Sequence, residues 1–170
     1  MFGHTHDQYF SLYQSSTNPE KTIGVTQIGP SGTTETWKNP AYGLIDIDAE
    51  TLLPINYRII GFDLDQANAD GAPEWITFVD YARDYLQGGI STESLYNFAY
   101  QLTQDEDLFW QNTWDNARRA GEKEVGTTEE WLQWSQEQFC SMISSNDRDL
   151  ELCNNNRFHW PLDTLIGKWK

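Results

Sequence analysis

Hydrophobic and polar positions change their rhythm near residue 66. Before it the dominant period is two. "QYFSLYQ" alternates Tyr9, Ser11 and Tyr13 against Phe10 and Leu12, and "KTIGVTQIG" follows a turn-rich "SSTNPE" with a β-branched run. Two such runs around a polar loop predict a hairpin. "GPSGTTETWKNPAYG", punctuated by Gly29, Pro30, Gly32 and Pro40, reads as loop. "YGLIDID" reads as a third strand and "LLPINYRIIGFDLDQA" as a longer fourth, with Ile55, Tyr57 and Ile59 on one buried face. Short connections favour placing these strands side by side.

After residue 66 the spacing becomes helical. Pro73 suits the first turn of a helix through "PEWITFVDYARDYL", with Trp75, Phe78, Val79, Ala82 and Leu86 recurring at helical intervals. Gly88-Gly89 ends it. Ser91 or Thr92 caps "STESLYNFAYQLT", whose Leu95, Phe98, Ala99 and Leu102 share a face. Thr103 to Glu106 matches a capping box for a helix carrying Leu108, Phe109 and Ala117, stopped by Gly121. Thr127 to Glu130 matches another, opening "WLQWSQEQFCSMI", and "DRDLELCNN" is a last short helix. The Asp105–Asp107 run is a helix start favoured by the macrodipole. The tryptophans at 75, 110, 114, 131 and 134 fit helical core first and lipid contact second. The pattern predicts an α+β chain with strands in 1–66 and helices in 67–170, without a Gly/Ser-rich linker between them.

The formal charge of −15 over 170 residues changes the functional picture more than the fold. With no basic patch to meet phosphates, nucleic acid is not an expected partner. Electrostatic docking to an anionic membrane is weakened too, whereas solubility in an acidic lumen is favoured. No run of about 18 or more apolar residues exists, so no transmembrane segment is expected. The start has neither a basic region nor an apolar core, so it does not read as a signal peptide. Cys140 and Cys153 suit a local disulfide and equally two buried thiols.

The sharpest chemical signal is His4-Thr5-His6 after Gly3. Two imidazoles at i and i+2 on a loop can turn toward one metal or two adjacent ones, and Gly3 permits close backbone approach. The same pair also reads as two surface histidines. Zinc requires three or four protein ligands, and His159, beside Trp160 in the tail, reads as structural. Pro30-Ser31-Gly32-Thr33-Thr34 reads either as part of a substrate pocket or as a tight turn whose hydroxyls satisfy backbone groups. Tyr42, on the turn Asn39-Pro40-Ala41-Tyr42, reads as pocket wall or core.

"FGHTH", with the aromatic strand after it, resembles the Gly-His-x-His motif of calcineurin-like metallophosphoesterases. "IGPSGTTETWKNPAYGLIDID" narrows the resemblance to the acid sphingomyelinases and acid-sphingomyelinase-like phosphodiesterases, through their Pro-Ser-x-Thr-Thr, Asn-Pro-x-Tyr and Asp positions. "NYRIIGFDLDQANADGAPEWITFVDYARDYL" and "ESLYNFAYQLTQDEDLFWQNTW" resemble the connector and helices that follow. The resemblance implies the last strands of a metallophosphoesterase β-sandwich in 1–66 and the helical C-terminal subdomain in 67–170. It implies a two-zinc phosphodiesterase, hydrolysing sphingomyelin to ceramide and phosphocholine or acting on a related phosphoester. Two metals about 3.5–4 Å apart clamp the phosphate and activate a water in such a centre.

Carried onto this chain, the motif makes His4 and His6 ligands to the two zincs, and places Ser31, Thr33, Thr34 and Tyr42 near the substrate. Glu35 stands where vertebrate members carry an aromatic residue. Cys140 and Cys153 match a C-terminal disulfide of the family. With it comes an oxidising compartment, extracellular or lysosomal. The family's other ligands lie on Asp-x-His, Gly-Asp-x-x-Asp-like and Gly-Asn-His motifs and a lone histidine, all N-terminal to the matching site and none present here. The general acid belongs to that part too, so no catalytic residue is assigned. The chain is therefore expected to be a C-terminal segment, inactive alone, whose partner is the missing N-terminal part. Met1 then reads as an internal methionine or the start of an incomplete reading frame. The alternative is a non-catalytic binding module or pseudoenzyme retaining the C-terminal fold; an upstream in-frame Asp-x-His and Gly-Asn-His discriminate the two.

Overall fold

The structure is a computed structural model that describes residues 6–15, 17, 21–34, 38–86, 88–117, 126–144 and 147–155. The alternating runs form β1 (Tyr9–Gln14) and β2 (Thr22–Ile28), paired antiparallel with Tyr9 opposite Ile28. A second antiparallel sheet contains β3 (Ala41–Ile47), β4 (Pro54–Gly61) and β5 (Ile76–Asp80), in that order. The four expected strands thus do not all lie side by side. The Pro30-to-Pro40 loop carries the chain out of the first sheet, and Ala41 begins the second by donating its N–H to the Ser31 carbonyl at 3.0 Å.

The expected fourth strand stops at Gly61. Asp63 turns its carboxylate onto the Gln66 N–H at 3.0 Å, and the Asn39 side chain accepts from the Leu64 N–H at 2.9 Å. These bonds satisfy two of the free donors at the start of a short helix, α1 (Leu64–Asp70). Ile55 does not share the buried face of Tyr57 and Ile59. It is 48% exposed: the pairing with β3 jumps from Asp46–Asn56 to Ile47–Pro54, which leaves Ile55 as the extra residue of a bulge.

The helix expected over 73–86 is instead β5 followed by a single turn, α2 (Tyr81–Asp84). The run Ile76-Thr77-Phe78-Val79 has the β-branched and aromatic character that fits a half-buried pleated surface, and Val79 sits opposite Ile59. Asp80 then accepts the Arg83 N–H, starting the turn. The strand content therefore extends beyond residue 66.

The remaining helices follow their caps. In α3 (Thr92–Gln101) Ser91 and Ser94 form a reciprocal box. In α5 (Thr128–Ile143) Thr127 and Glu130 do the same, as expected. The expected box at Thr103 does not form. Its hydroxyl donates to the Tyr100 carbonyl at 2.8 Å, and Asp105 takes the Leu108 N–H at 2.9 Å to open α4 (Glu106–Ala117). Gly121 lies outside the described residues. In α6 (Asp147–Asn155) Cys153 is disulfide-bonded to Cys140 of α5, with Cα atoms 5.6 Å apart.

One core joins strands and helices. Phe98 of α3 lies against Phe10 of β1 (ring centroids 6.2 Å apart), Tyr81 (6.2 Å) and Tyr85 (4.9 Å). Tyr57 meets Tyr81 edge-on at 5.9 Å and crosses Gly43 of β3, where a Cβ would fall 1.9 Å from its hydroxyl. Glycine at 43 is thus a packing requirement. Among the expected core tryptophans, Trp110 is buried, Trp134 is partly exposed beside it, and Trp75 lies outside any helix and is half exposed.

Candidate functional site

The candidate site is built where the chain enters β1. His6 has φ of 63°, in the left-handed region that a residue with a Cβ seldom occupies. Three consecutive residues here are each tied to a different part of the molecule. The Nδ1 of His6 lies 3.4 Å from the Thr33 hydroxyl. Asp7 pairs with the amine of Lys38. Gln8 is wholly buried, and its Nε2 donates to the Tyr81 hydroxyl at 2.9 Å across 73 positions of sequence.

Behind Gln8 lies a buried polar cluster. Tyr85 donates to the Asp115 carboxylate, and Asn112, wholly buried, lies beside both Tyr81 and Tyr85. Burial pushes the Tyr81 phenol far above its usual range, against the lowering effect of the Gln8 contact. Burial first, and then the charge of Asp115, does the same to Tyr85. Both phenols stay neutral at any physiological pH, so the anchor under the His6 segment does not depend on pH there.

The predicted pocket residues divide into two places. Thr33 meets His6, and Ser31 lies behind it in the same turn. The Thr33 N–H donates to the Ser31 hydroxyl at 3.0 Å, forming the tight turn, while the Thr33 hydroxyl faces the imidazole. The tight-turn reading of this loop is thus met. Thr34 is exposed just beyond. Tyr42 follows Ala41, which is bonded to Ser31, but its ring packs with Trp75 at 5.5 Å, and Trp75 in turn meets Phe62 at 4.8 Å. His4, Glu35 and His159 lie outside the described residues.

Among the described residues no group of three or more His, Cys, Asp or Glu side chains lies together to hold a metal. His6 fits zinc in kind, as an imidazole with a hydroxyl partner on one ring nitrogen, but the described residues do not reach the number a centre needs. Nor, among the described residues, is any helix long and apolar enough to cross a membrane.

No protein-family model matches the chain. Individual curated proteins do. Sphingomyelin phosphodiesterase B of Dictyostelium discoideum is 35% identical over 81 residues, covering 44% of this chain and 13% of its own length. Sphingomyelin phosphodiesterase 2 of Caenorhabditis elegans is 28% identical over 114 residues, covering 64% and 18%. The human sphingomyelin phosphodiesterase is 27% identical over 113 residues, again covering 64% and 18%. The chain is homologous to sphingomyelin phosphodiesterases over that stretch. It spans between 13% and 18% of the length of these three relatives.

Several residues of the site escape a linear reading. Gln8 and Tyr81 carry no motif, and only the fold joins them. Trp75 and Tyr42, both half exposed, form an aromatic wall with the partly buried Phe62. The available signal for Trp75 was the strand-like Ile76–Val79 run after it, which takes it out of a helix and leaves it on a sheet margin.

Proposed function

We propose that this chain is the C-terminal part of a zinc-dependent phosphodiesterase of the acid sphingomyelinase kind, acting on sphingomyelin or a related phosphoester. His4 and His6 supply the last ligands of a two-zinc centre completed by residues preceding this segment. The observation that carries the reading is the homologous stretch shared with sphingomyelin phosphodiesterases of an amoeba, a nematode and a human. The left-handed backbone at His6 supports it, because strain of this kind at a non-glycine residue concentrates at working sites. Thr33 orients the His6 ring, while Asp7–Lys38 and Gln8–Tyr81 hold its backbone in register. Ser31, Thr33, Thr34 and Tyr42 line the approach of the phosphoester. The Cys140–Cys153 disulfide supports an extracellular or lysosomal residence.

The test is expression of this chain together with its in-frame upstream sequence, assayed for release of phosphocholine from sphingomyelin and for phosphodiester hydrolysis generally. The expected result is turnover that a chelator abolishes and zinc restores, with no turnover by the 170 residues alone. An upstream-extended protein that folds but hydrolyses no phosphoester overturns the enzyme reading in favour of a binding module. Robust turnover by the 170 residues alone overturns the shared-site reading.

A further inference from the structure

The β3–β4 hairpin ends in an exposed apolar tip that the site does not use. Leu52 is 75% exposed and Leu53 62%, flanked by Ile47 at 57% and Ile55 at 48%. The tip is nevertheless ordered by its own bonds. Asp48 Oδ1 accepts from the Glu50 N–H at 3.1 Å, the Thr51 N–H at 2.7 Å and the Thr51 hydroxyl at 2.8 Å. The Leu52 N–H donates to the Asp48 carbonyl, and the Asp48 N–H donates to the Leu53 carbonyl, both at 2.9 Å. Leu52 itself has φ of 58°. Hairpin loops of this length place glycine or asparagine at the left-handed position. A leucine there carries backbone strain while its side chain is exposed to solvent, so local packing does not account for its identity.

We infer that this tip is a membrane-docking wedge, inserting Leu52 and Leu53 into the interface of a zwitterionic phospholipid bilayer. A fixed turn presents the two leucines without an ordering cost on insertion. The charges select the surface. The tip carries Asp48 and Glu50, the chain carries −15 overall, and Arg58, the nearest strand cation, is paired with Asp46 at 2.6 Å. An anionic bilayer is disfavoured and a neutral one is not. The small size of the tip argues against a protein partner, since a stable interface engages roughly 20–30 residues on each side. Four aliphatic side chains fall far short of that, yet suffice for interfacial anchoring. The inference rests on the proposed lipid substrate, because an enzyme acting on a bilayer lipid must reach the bilayer.

The experiment is flotation of the full chain with vesicles of pure phosphatidylcholine, and with vesicles containing phosphatidylserine, comparing the natural chain with Leu52→Gly/Leu53→Ser. Expected is binding to phosphatidylcholine vesicles that is weaker with phosphatidylserine and falls by about tenfold or more in the variant, given the apolar area removed. Leu52→Gly alone keeps or raises the melting temperature, because glycine relieves the left-handed strain, and that separates loss of docking from loss of fold. No vesicle binding by the natural chain, undiminished binding by the variant, or stronger binding to phosphatidylserine overturns the inference. So does a self-association, measured without lipid, that the same substitutions abolish, which makes the tip a contact between copies, and so does vesicle binding by the upstream-extended protein that is indifferent to them, which makes the tip a contact with the upstream part. Phosphatidylcholine vesicles contain no sphingomyelin, so failure of the proposed activity appears instead as intact docking without hydrolysis by the upstream-extended protein.

Discussion

The His6–Gln8 segment and the 48–53 hairpin tip are both ordered and both contain a left-handed non-glycine residue, but they are held in opposite ways. The first is held from outside, through Thr33, Lys38 and Tyr81, each far away in sequence. The second is held from within, by Asp48 and Thr51 over three positions. Long-range anchoring makes the first inseparable from the core: whatever loosens the helices reaches it. Local anchoring lets the second be altered without cost to the rest. A site that must meet ligands from elsewhere needs the first kind of support, and a projecting element needs only the second.

The largest effect separating the two regions is expected from the disulfide. Replacing Cys140 and Cys153 by Ser removes the tie between α5 and α6 and destabilises the chain by about 3 kcal/mol in the chain-entropy model. Because α5 packs on β1, with Ser11 donating to the Ser141 carbonyl at 3.3 Å, amide exchange in β1 accelerates strongly. Exchange at the Thr51 and Leu52 amides of the tip, read by NMR below the global unfolding limit, stays as it was.

Tyr81→Phe comes next. It removes the hydroxyl that Gln8 uses, and Gln8 Oε1 is already a buried atom without a hydrogen bond. Leaving both ends of a buried amide unsatisfied costs about 1–3 kcal/mol, measured by urea denaturation, with increased proteolytic cleavage near residue 8. A loss confined to the helices, with the His6 segment unchanged, would contradict its long-range anchoring. Smaller, and opposite in sign, is Leu52→Gly, expected to leave stability unchanged or to raise it by up to about 1 kcal/mol, because a left-handed L-residue carries a cost of that order.

The smallest effect is that of pH. The Thr51 backbone N–H first, then its hydroxyl, holds the Asp48 carboxyl below its ordinary 3.8. The Thr127 backbone N–H, then its hydroxyl, holds Glu130 below 4.5. A carboxyl whose folded pKa is depressed stabilises the fold above its unfolded value and loses that contribution as pH falls through the folded one. The tip and the α5 cap therefore persist above the ordinary carboxyl values of 3.8 and 4.5 and loosen only as pH falls below them. Amide exchange at Thr51 and Glu130 measured between pH 6 and 3 follows this directly. Loosening that begins at pH 6 would contradict it.

What the sequence revealed follows from how local each feature is. Ser91 and Thr127 announced their helices because a cap is complete within four residues, whereas at Thr103 the same local pattern lost to a bond with the Tyr100 carbonyl. The β1–β2 hairpin was legible because its alternation and its turn are contiguous. β5 was misread because Trp75, Phe78, Val79 and Ala82 fit a helical period as well as part of a strand; pairing with β4, invisible in the linear pattern, decides between them. The two places of the candidate site divide likewise. The histidine motif and the Ser31–Thr33 turn stood out as strings. The Gln8–Tyr81 anchor and the Tyr42–Trp75–Phe62 wall exist only once distant segments meet. Leu52 is hidden for another reason: nothing in the letters Thr-Leu-Leu-Pro shows a left-handed backbone.

The central claim is that His4 and His6 belong to a metal centre completed by an upstream part of the same protein. Its most direct test is the zinc content of the upstream-extended protein, purified under non-denaturing conditions, for the natural sequence and for His4→Ala and His6→Ala. About two zinc ions per molecule are expected, lowered by each substitution while circular dichroism is unchanged. An extended protein that folds and binds no zinc, or one whose zinc content is indifferent to both histidines, would contradict it.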